Sequence, residues 1–391
     1  MNSKLNEVVI VSAARTPIGT YKGSLKDVKA DQLGSIVIKE AISRANLNKD
    51  DIDEVIMGQV LTAGAGQNPA RQASINAGLS KSIPAHLVNQ VCGSGMRSVI
   101  SGFQTIKLNE ADCVICGGQE NMSIAPHALS YRNEKKLLEN KLIDTMIYDG
   151  LIDAFNNYHM GVTAENIADK FKISRQEQDD FALKSQKKTQ LSLKENKFKE
   201  ELVSVNFNGS FLDIDEHPRK NLNIEELIKL KTVFKENGTV TPGNASGIND
   251  GAAAVILTSL DKAETDFLKP LVRVVSWSSI GVDPSLMGLG PIQAVGLALK
   301  RANWKIDDVD LFEINEAFAA QSIAVIKELK IDQNKVNVNG GAIALGHPIG
   351  ASGTRILVTL IYEMIRQNKP KGCATLCIGG GMGIAICIEK I

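Results

Sequence analysis

The chain has 391 residues, 43% of them hydrophobic, and its 44 Lys and Arg balance 44 Asp and Glu. This is core material for two or three domains, and a chain of zero formal net charge carries no field that would draw nucleic acid or an anionic membrane. Six cysteines in so long a chain make no disulfide framework and point to a reducing, cytoplasmic setting.

From the N-terminus, the run Val8-Val9-Ile10-Val11 reads as a strand entered without a signal-type apolar core. No uninterrupted apolar run reaches the ~18 residues of a membrane span, and the C-terminal Glu389-Lys390-Ile391 is not a peroxisomal tag. Apolar residues at helical spacing predict a helix over 32–44. Its end opens a repeat. Residues 41–53 read AISRANLNKDDID and residues 298–310 read ALKRANWKIDDVD, identical at seven of thirteen positions at an offset of 257. The mismatches Ile42/Leu299 and Ile52/Val309 stay apolar, so each copy predicts a helix, a turn and a strand, and the chain divides into two related halves.

Next, Leu87–Val91 reads as a strand, Cys92-Gly93-Ser94-Gly95 as a turn, and Met96, Val99, Ile100, Phe103 and Ile106 as one face of a helix. Val114–Gly118 predicts the first arm of a hairpin whose second arm, Gly251–Leu257, arrives only after the 132 residues 119–250. The matching arms of the second half join directly, through Cys377-Ile-Gly-Gly-Gly-Met-Gly383. A segment is therefore inserted at a hairpin tip, where chains tolerate insertion best. The expected division is 1–121 with 248–269 as the first half, 122–247 as the insert and 270–391 as the second half. Within the insert, Ser174-Arg-Gln-Glu177 is a capping box opening a polar helix to about Leu193, which reads as a solvated cap. In the second half Val336-Asn-Val-Asn339 repeats the strand, Gly346-His347-Pro348 follows, and a helix is predicted over 354–365. Strands alternating with helical patterns make an α/β fold whose helices cover mostly buried strands.

A thiol at a strand-to-helix turn faces the free N–H groups and dipole of a helix N-terminus, which favour thiolate, so Cys92 is a candidate nucleophile. The ordinary alternative is a buried, inert cysteine; against it, Gly93 and Gly95 leave backbone room that packing alone would not require. Adding the offset to Cys92 gives 349, two residues from His347. Two repeats packed about a pseudo-twofold would set Cys92 and His347 across one cleft, which outweighs the usual reading of a lone His as a packed residue. Asn315-Glu316 ends the repeated strand where the first half has Gly58-Gln59, a site candidate whose ordinary alternative is a helix cap. Cys377 ends another strand beside the glycine turn. Zinc binding by Cys113 with Cys116, or by Cys373 with Cys377, is rejected, because zinc knuckles favour two-residue spacing in both pairs and the Val, Ile and Leu neighbours read as strand interiors.

Asn89-Gln90-Val91-Cys92-Gly93-Ser94-Gly95, Asn315-Glu316-Ala317-Phe318, Gly346-His347-Pro348 and Cys377-Ile378-Gly379 resemble, in order and spacing, the four signature blocks of the thiolases. The resemblance covers the whole chain, including Gly66–Gln72, Tyr158–Gly161 and Gly243–Gly247, and is strongest to the short-chain biosynthetic type, which joins two acetyl-CoA into acetoacetyl-CoA and free CoA. It implies a layered αβαβα core with an inserted loop domain that binds CoA. It also implies that Cys92 is the acylated nucleophile, that His347 takes its proton, and that Cys377 is the acid/base acting on the second substrate. His347 with a water held by Asn315 would stabilise the enolate oxygen, and the N–H groups of Cys92 and Gly379 would form a second oxyanion hole. For CoA, the resemblance implies a hydrogen bond from Ser246 and a tunnel lined by Leu151, His159, Met160, Phe234, Ala245 and Phe318, with Arg219 near the nucleotide end. His159, Met287 and Phe318 would border the acyl pocket. The family commonly has an aromatic residue before that Arg; Asp215-Glu216-His217-Pro218-Arg219 departs from it and leaves the adenine contact open.

Neither a metal nor a tightly bound cofactor is implied, CoA and acetyl-CoA being substrates. A degradative 3-ketoacyl-CoA thiolase would share these catalytic residues and have a longer acyl pocket. A non-catalytic acyl-CoA-binding protein on this fold would be expected to lose one of Cys92, Asn315, His347 and Cys377, all of which are present. A decarboxylating ketosynthase would use Cys/His/His. The resemblance further implies a cytoplasmic homotetramer, dimers across the core halves pairing through a segment near 123–136.

Overall fold

Asn46 and Asn303, equivalent at the offset of 257, both close a helix in the left-handed conformation, with φ of 52° and 57°. The computed structural model describes residues 7–129 and 142–391. Its first half runs β1 (Val8–Arg15), β2 (Gly19–Thr20), α1 (Ala30–Ala45), β3 (Glu54–Gly58), α2 (Pro69–Asn76), β4 (Ala85–Val88), α3 (Ser94–Lys107) and β5 (Cys113–Asn121). Two short strand pairs and four helices follow: β6 (His127–Ala128), β7 (Ile143–Asp144), α4 (Thr145–Gly150), α5 (Met160–Phe171), α6 (Arg175–Lys194), β8 (Val205–Phe207), β9 (Ser210–Leu212) and α7 (Ile224–Ile228). The chain then returns through β10 (Asn249–Ser259) and α8 (Leu260–Thr265). The second half is β11 (Val272–Gly281), α9 (Gly290–Ala302), β12 (Leu311–Ile314), α10 (Ala319–Leu329), α11 (Ala342–Leu345), α12 (Ser352–Gln367), β13 (Lys371–Ile378) and β14 (Met382–Lys390).

The interrupted hairpin is present: β5 pairs antiparallel with β10, Glu120 opposite Gly251, while β13 and β14 form the uninterrupted counterpart. The strands lie in the order β12-β13-β14-β11-β1-β10-β5-β3-β4, with β2 paired to β10. Among the described residues, the two half-sheets are joined where β1 pairs with β11, Val9 opposite Arg273 and Ile10 opposite Val272. Apolar packing fixes five layers. Helices α1 and α2 cover one outer face (Leu33, Val37, Ala41, Ala73), α9 and α10 the other (Val295, Leu299, Val325, Ile326), and α3 and α12 lie between the half-sheets (Met96, Ile100, Ile356, Leu360). Strands β1, β5 and β10 are buried along their whole length, with apolar runs at Val8–Val11, Cys113–Cys116 and Ala252–Leu257 and polar residues toward the ends that face the site.

Three expectations need correction. Gly93 and Gly95 are packing residues after all. A Cβ on Gly93 would lie 2.4 Å from Ile378 Cδ1, and one on Gly95 2.8 Å from Thr354 Oγ1, so these glycines let the two halves touch. Helix α6 is not simply solvated: Gln178, Asp179, Ser185, Gln186, Thr189 and Ser192 are buried, and Ser185 Oγ donates to Glu316 at 2.7 Å while Ser192 Oγ donates to Asn339 Oδ1 at 2.9 Å. Its buried face is polar, so no apolar stripe announces it. Finally, the strand expected at Val336–Asn339 shrinks to a single bridge, Phe312 with Val336. Asn337 takes a positive φ of 43°, and its side-chain amide does a strand's work, accepting from Ile314 N–H and donating to Ile314 C=O, each at 2.8 Å.

Candidate active site

Cys92 sits in the tight turn between β4 and α3. The residue before it, Val91, has φ of 46°, a left-handed conformation that costs a β-branched side chain of order 1–3 kcal/mol. Ser94 holds the turn there: its hydroxyl donates to Val91 C=O at 2.6 Å and accepts from Gln90 N–H at 2.9 Å. The half-buried Cys92 is presented ahead of the helix, with two backbone N–H groups, its own and that of Gly379, aimed at its sulfur. Burial nevertheless wins and pushes the thiol up to about 11, against the downward pull of those N–H groups. The resting nucleophile is therefore a thiol, contrary to what the helix N-terminus alone predicts. Iodoacetamide alkylation of Cys92 should keep rising by about tenfold per pH unit between about 7 and 9; a plateau near neutral pH would show a stable thiolate instead.

His347 follows α11 in a turn whose Gly346 has φ of 104°. Its Nδ1 lies 2.6 Å from Ser352 Oγ, and that hydroxyl donates to Pro348 C=O at 2.8 Å. With the hydroxyl proton so placed, Nδ1 carries the imidazole hydrogen and Nε2 is left as an acceptor. Nε2 lies 3.4 Å from the amide nitrogen of Asn315, and Asn315 Oδ1, buried, has no partner among the described residues. Burial, with a smaller contribution from Arg355, pushes His347 down to about 3, so the ring is neutral across the physiological range. Cys377 ends β13 and is buried; desolvation first, then the neighbouring Cys92, raise its pKa.

Cys92, His347, Cys377 and Gly379 all line a cavity of about 330 Å³. All nine residues expected to contact CoA line it as well: Leu151, His159, Met160, Arg219, Phe234, Ala245, Ser246, Met287 and Phe318. Asn315 stands behind the wall, reaching it through His347. Phe234 is the hub of the tunnel, stacked on His159 at 4.5 Å between ring centres and edge-on to Phe318 at 6.4 Å. Gly161 makes room for it, since a Cβ there would lie 2.3 Å from the Phe234 ring. His159 Nδ1 accepts from Gly161 N–H at 3.0 Å, which leaves its Nε2–H as a donor.

Sequence reasoning did not single out His217 and Ile349 in the wall, or Ser352, Asn249 and Glu120 behind it. For Ser352 the available signal was a hydroxyl five residues beyond His347; for Glu120 and Asn249 it was the polar strand ends Gln119-Glu120-Asn121 and Asn249-Asp250. Among the described residues no three His, Cys, Asp or Glu side chains gather as a metal site would need. Cys113, Cys116 and Cys373 are enclosed within β5 and β13.

Residues 8–261 match the family described as Thiolase, N-terminal domain, and residues 268–390 match Thiolase, C-terminal domain. The chain is 52% identical over 390 residues to an acetyl-CoA acetyltransferase of Paracoccus denitrificans, covering 99% of this chain and 100% of that one. It is 54% identical to one of Syntrophomonas wolfei, covering 98% and 99%. Among solved structures, the acetyl-CoA acetyltransferase of Bacillus anthracis superposes with a TM-score of 0.96 at 41% identity, covering 99% of each chain. Human mitochondrial 3-ketoacyl-CoA thiolase in complex with CoA superposes at 0.97 with 43% identity, covering 99% of this chain and 98% of that one.

Proposed function

The chain belongs to the thiolase family, and we infer from that premise that it joins two acetyl-CoA into acetoacetyl-CoA and CoA, reversibly, through an acetyl group held on Cys92. One observation carries the assignment of roles. Two thiols, a neutral imidazole and the Gly379 N–H line the same cavity as the residues expected to hold CoA. In the first step Cys92 Sγ bonds to the acetyl carbon, its proton passes to His347 Nε2, and the C–S bond of acetyl-CoA breaks as the leaving sulfur takes that proton. The N–H groups already directed at the sulfur of Cys92 lie where the acyl oxygen of its thioester would need donors, each worth about 3 kcal/mol in the transition state.

In the second step Cys377, as its thiolate, takes a methyl proton from the second acetyl-CoA. The resulting carbon bonds to the acetyl carbon on Cys92, and as that C–S bond breaks the released Cys92 sulfur takes the proton from Cys377, which returns to its thiolate. The enolate oxygen needs donors, which His347 and a water held by the unpartnered Asn315 Oδ1 would supply. Ser352 suits His347 to both duties: its hydroxyl accepts from Nδ1–H when Nε2 is a base, and by turning from Pro348 C=O it donates to Nδ1 when Nε2 must carry the proton.

Packing by Met160, Met287, Phe318 and Ala317 around Cys377 closes the acyl end of the cavity and favours a two-carbon acyl group. Initial rates of thiolysis test this: acetoacetyl-CoA should be cleaved far faster than a six- or eight-carbon 3-ketoacyl-CoA, and equal rates would point to the degradative reading instead. Phe234→Ala and Ser246→Ala should raise KM for CoA by about tenfold or more, the loss expected from a buried aromatic anchor or a hydrogen bond, with kcat little changed. An equal fall in kcat at saturating CoA would place them in the reacting centre.

The insert at 122–247, with the halves 1–121 plus 248–269 and 270–391, is supported by the β5–β10 hairpin it interrupts. We place the enzyme in the cytoplasm as a homotetramer with acyl-CoA substrates and no nucleic-acid or membrane partner. No helix among the described residues is long and apolar enough to cross a membrane. Of the expected tetramer segment 123–136, residues 130–136 lie outside the described residues.

A further inference from the structure

Cys92 comes from the first half and His347 from the second, so their separation depends on what ties the halves together at the site. The turn Gly346-His347-Pro348-Ile349-Gly350 is held at both ends by buried side chains of the first half. At one end His347 N–H donates to Asn249 Oδ1 at 2.9 Å, and the Asn249 amide is itself anchored, donating to Gly19 C=O at 2.9 Å. At the other end Gly350 N–H donates to Glu120 Oε2 at 3.0 Å. The same carboxylate accepts from Val60 N–H at 3.0 Å and Leu61 N–H at 3.2 Å, and Val60 and Leu61 pack with Cys92 and Ile349 in one apolar cluster. Asn249 and Glu120 lie at the same end of the neighbouring strands β10 and β5 and are both fully buried. The two glycines are their seats: a Cβ on Gly346 would lie 2.5 Å from Asn249 Cγ, and one on Gly350 2.6 Å from Glu120 Oε2.

We propose that Asn249 and Glu120 are positioning residues, gripping the two ends of the His347 turn from the first half and so setting His347 against Cys92. The proposal rests on the reading of Cys92 as nucleophile and His347 as its base. A purely architectural carboxylate would account for the bonds to Val60 and Leu61. It would not account for a second side chain, on the adjacent strand, taking the opposite end of the turn that carries His347. A displacement of about 1 Å in such a pair costs about a hundredfold in rate.

The test compares Glu120→Gln and Asn249→Ala with the unaltered enzyme, each checked for folding by its thermal transition. Gln keeps the shape of Glu120 but presents an NH2 in place of one acceptor oxygen, and Ala removes the acceptor for His347 N–H. Both should lower kcat for acetoacetyl-CoA thiolysis by about tenfold or more, with KM for CoA changed by no more than about twofold, and should slow acetylation of Cys92 in parallel. Asn249→Ala should also slow iodoacetamide alkylation of Cys92, yet change it by less than about twofold when His347 is already Ala, because its effect passes through His347. Unchanged kcat and acetylation in folded variants, or equal slowing of alkylation without His347, would overturn the proposal. So would failure of both variants to fold, which would make the pair part of the scaffold. If the unaltered enzyme itself takes no acetyl group on Cys92, the reading of the nucleophile fails first.

Discussion

Cys377→Ala enzyme given acetyl-CoA should accumulate acetyl on Cys92 and go no further. Its Cys92, His347 and the Gly379 N–H are untouched, since Gly379 contributes through its backbone, so the first acyl transfer survives. What would be lost is the thiol proposed to take a proton from the second substrate's methyl carbon. Condensation should fall on the order of 10²–10⁴-fold, and methyl hydrogens of acetyl-CoA should no longer exchange with deuterated water. Cys377→Ser should be nearly as inactive, because a hydroxyl ionises far above the reference thiol value of about 8.5. Condensation at close to the normal rate by Cys377→Ala would mean that another group moves the proton.

Cys92→Ala should lose both directions, by on the order of 10⁴-fold or more, and should form no acyl-enzyme. The other cysteines offer no substitute: Cys113, Cys116, Cys373 and Cys387 are buried in strands, and Cys377 has a thiol raised further than that of Cys92. CoA should still bind with nearly unchanged affinity, since the tunnel residues are intact. Substantial thiolysis by Cys92→Ala, measured against acetoacetyl-CoA, would remove the covalent intermediate from the mechanism.

The architecture was largely legible because it is written twice. Asn46 and Asn303 close their helices alike, and the interrupted hairpin β5–β10 could be read against its intact copy β13–β14. That symmetry also brought Cys92 and His347 into one cavity from 255 positions apart. The tunnel was legible only through family resemblance, since Leu151, Phe234 or Met287 taken singly is indistinguishable from core. What stayed hidden was polar. The buried face of α6 carries Ser, Thr, Gln and Asp, which no apolar periodicity marks. Asn337 replaces a strand with its own amide. The preference for thiolate at Cys92 was misjudged because the helix N-terminus is visible in sequence and desolvation is not.

The central claim is that Cys92 carries the acyl group while Cys377 moves the proton. Its most direct test is to mix the unaltered enzyme with acetyl-CoA, quench in acid within the first turnover, and map the acetylated peptide by mass spectrometry. The account predicts a thioester on Cys92 alone; an acetyl group on Cys377, or turnover with no acetylated cysteine at all, would contradict it.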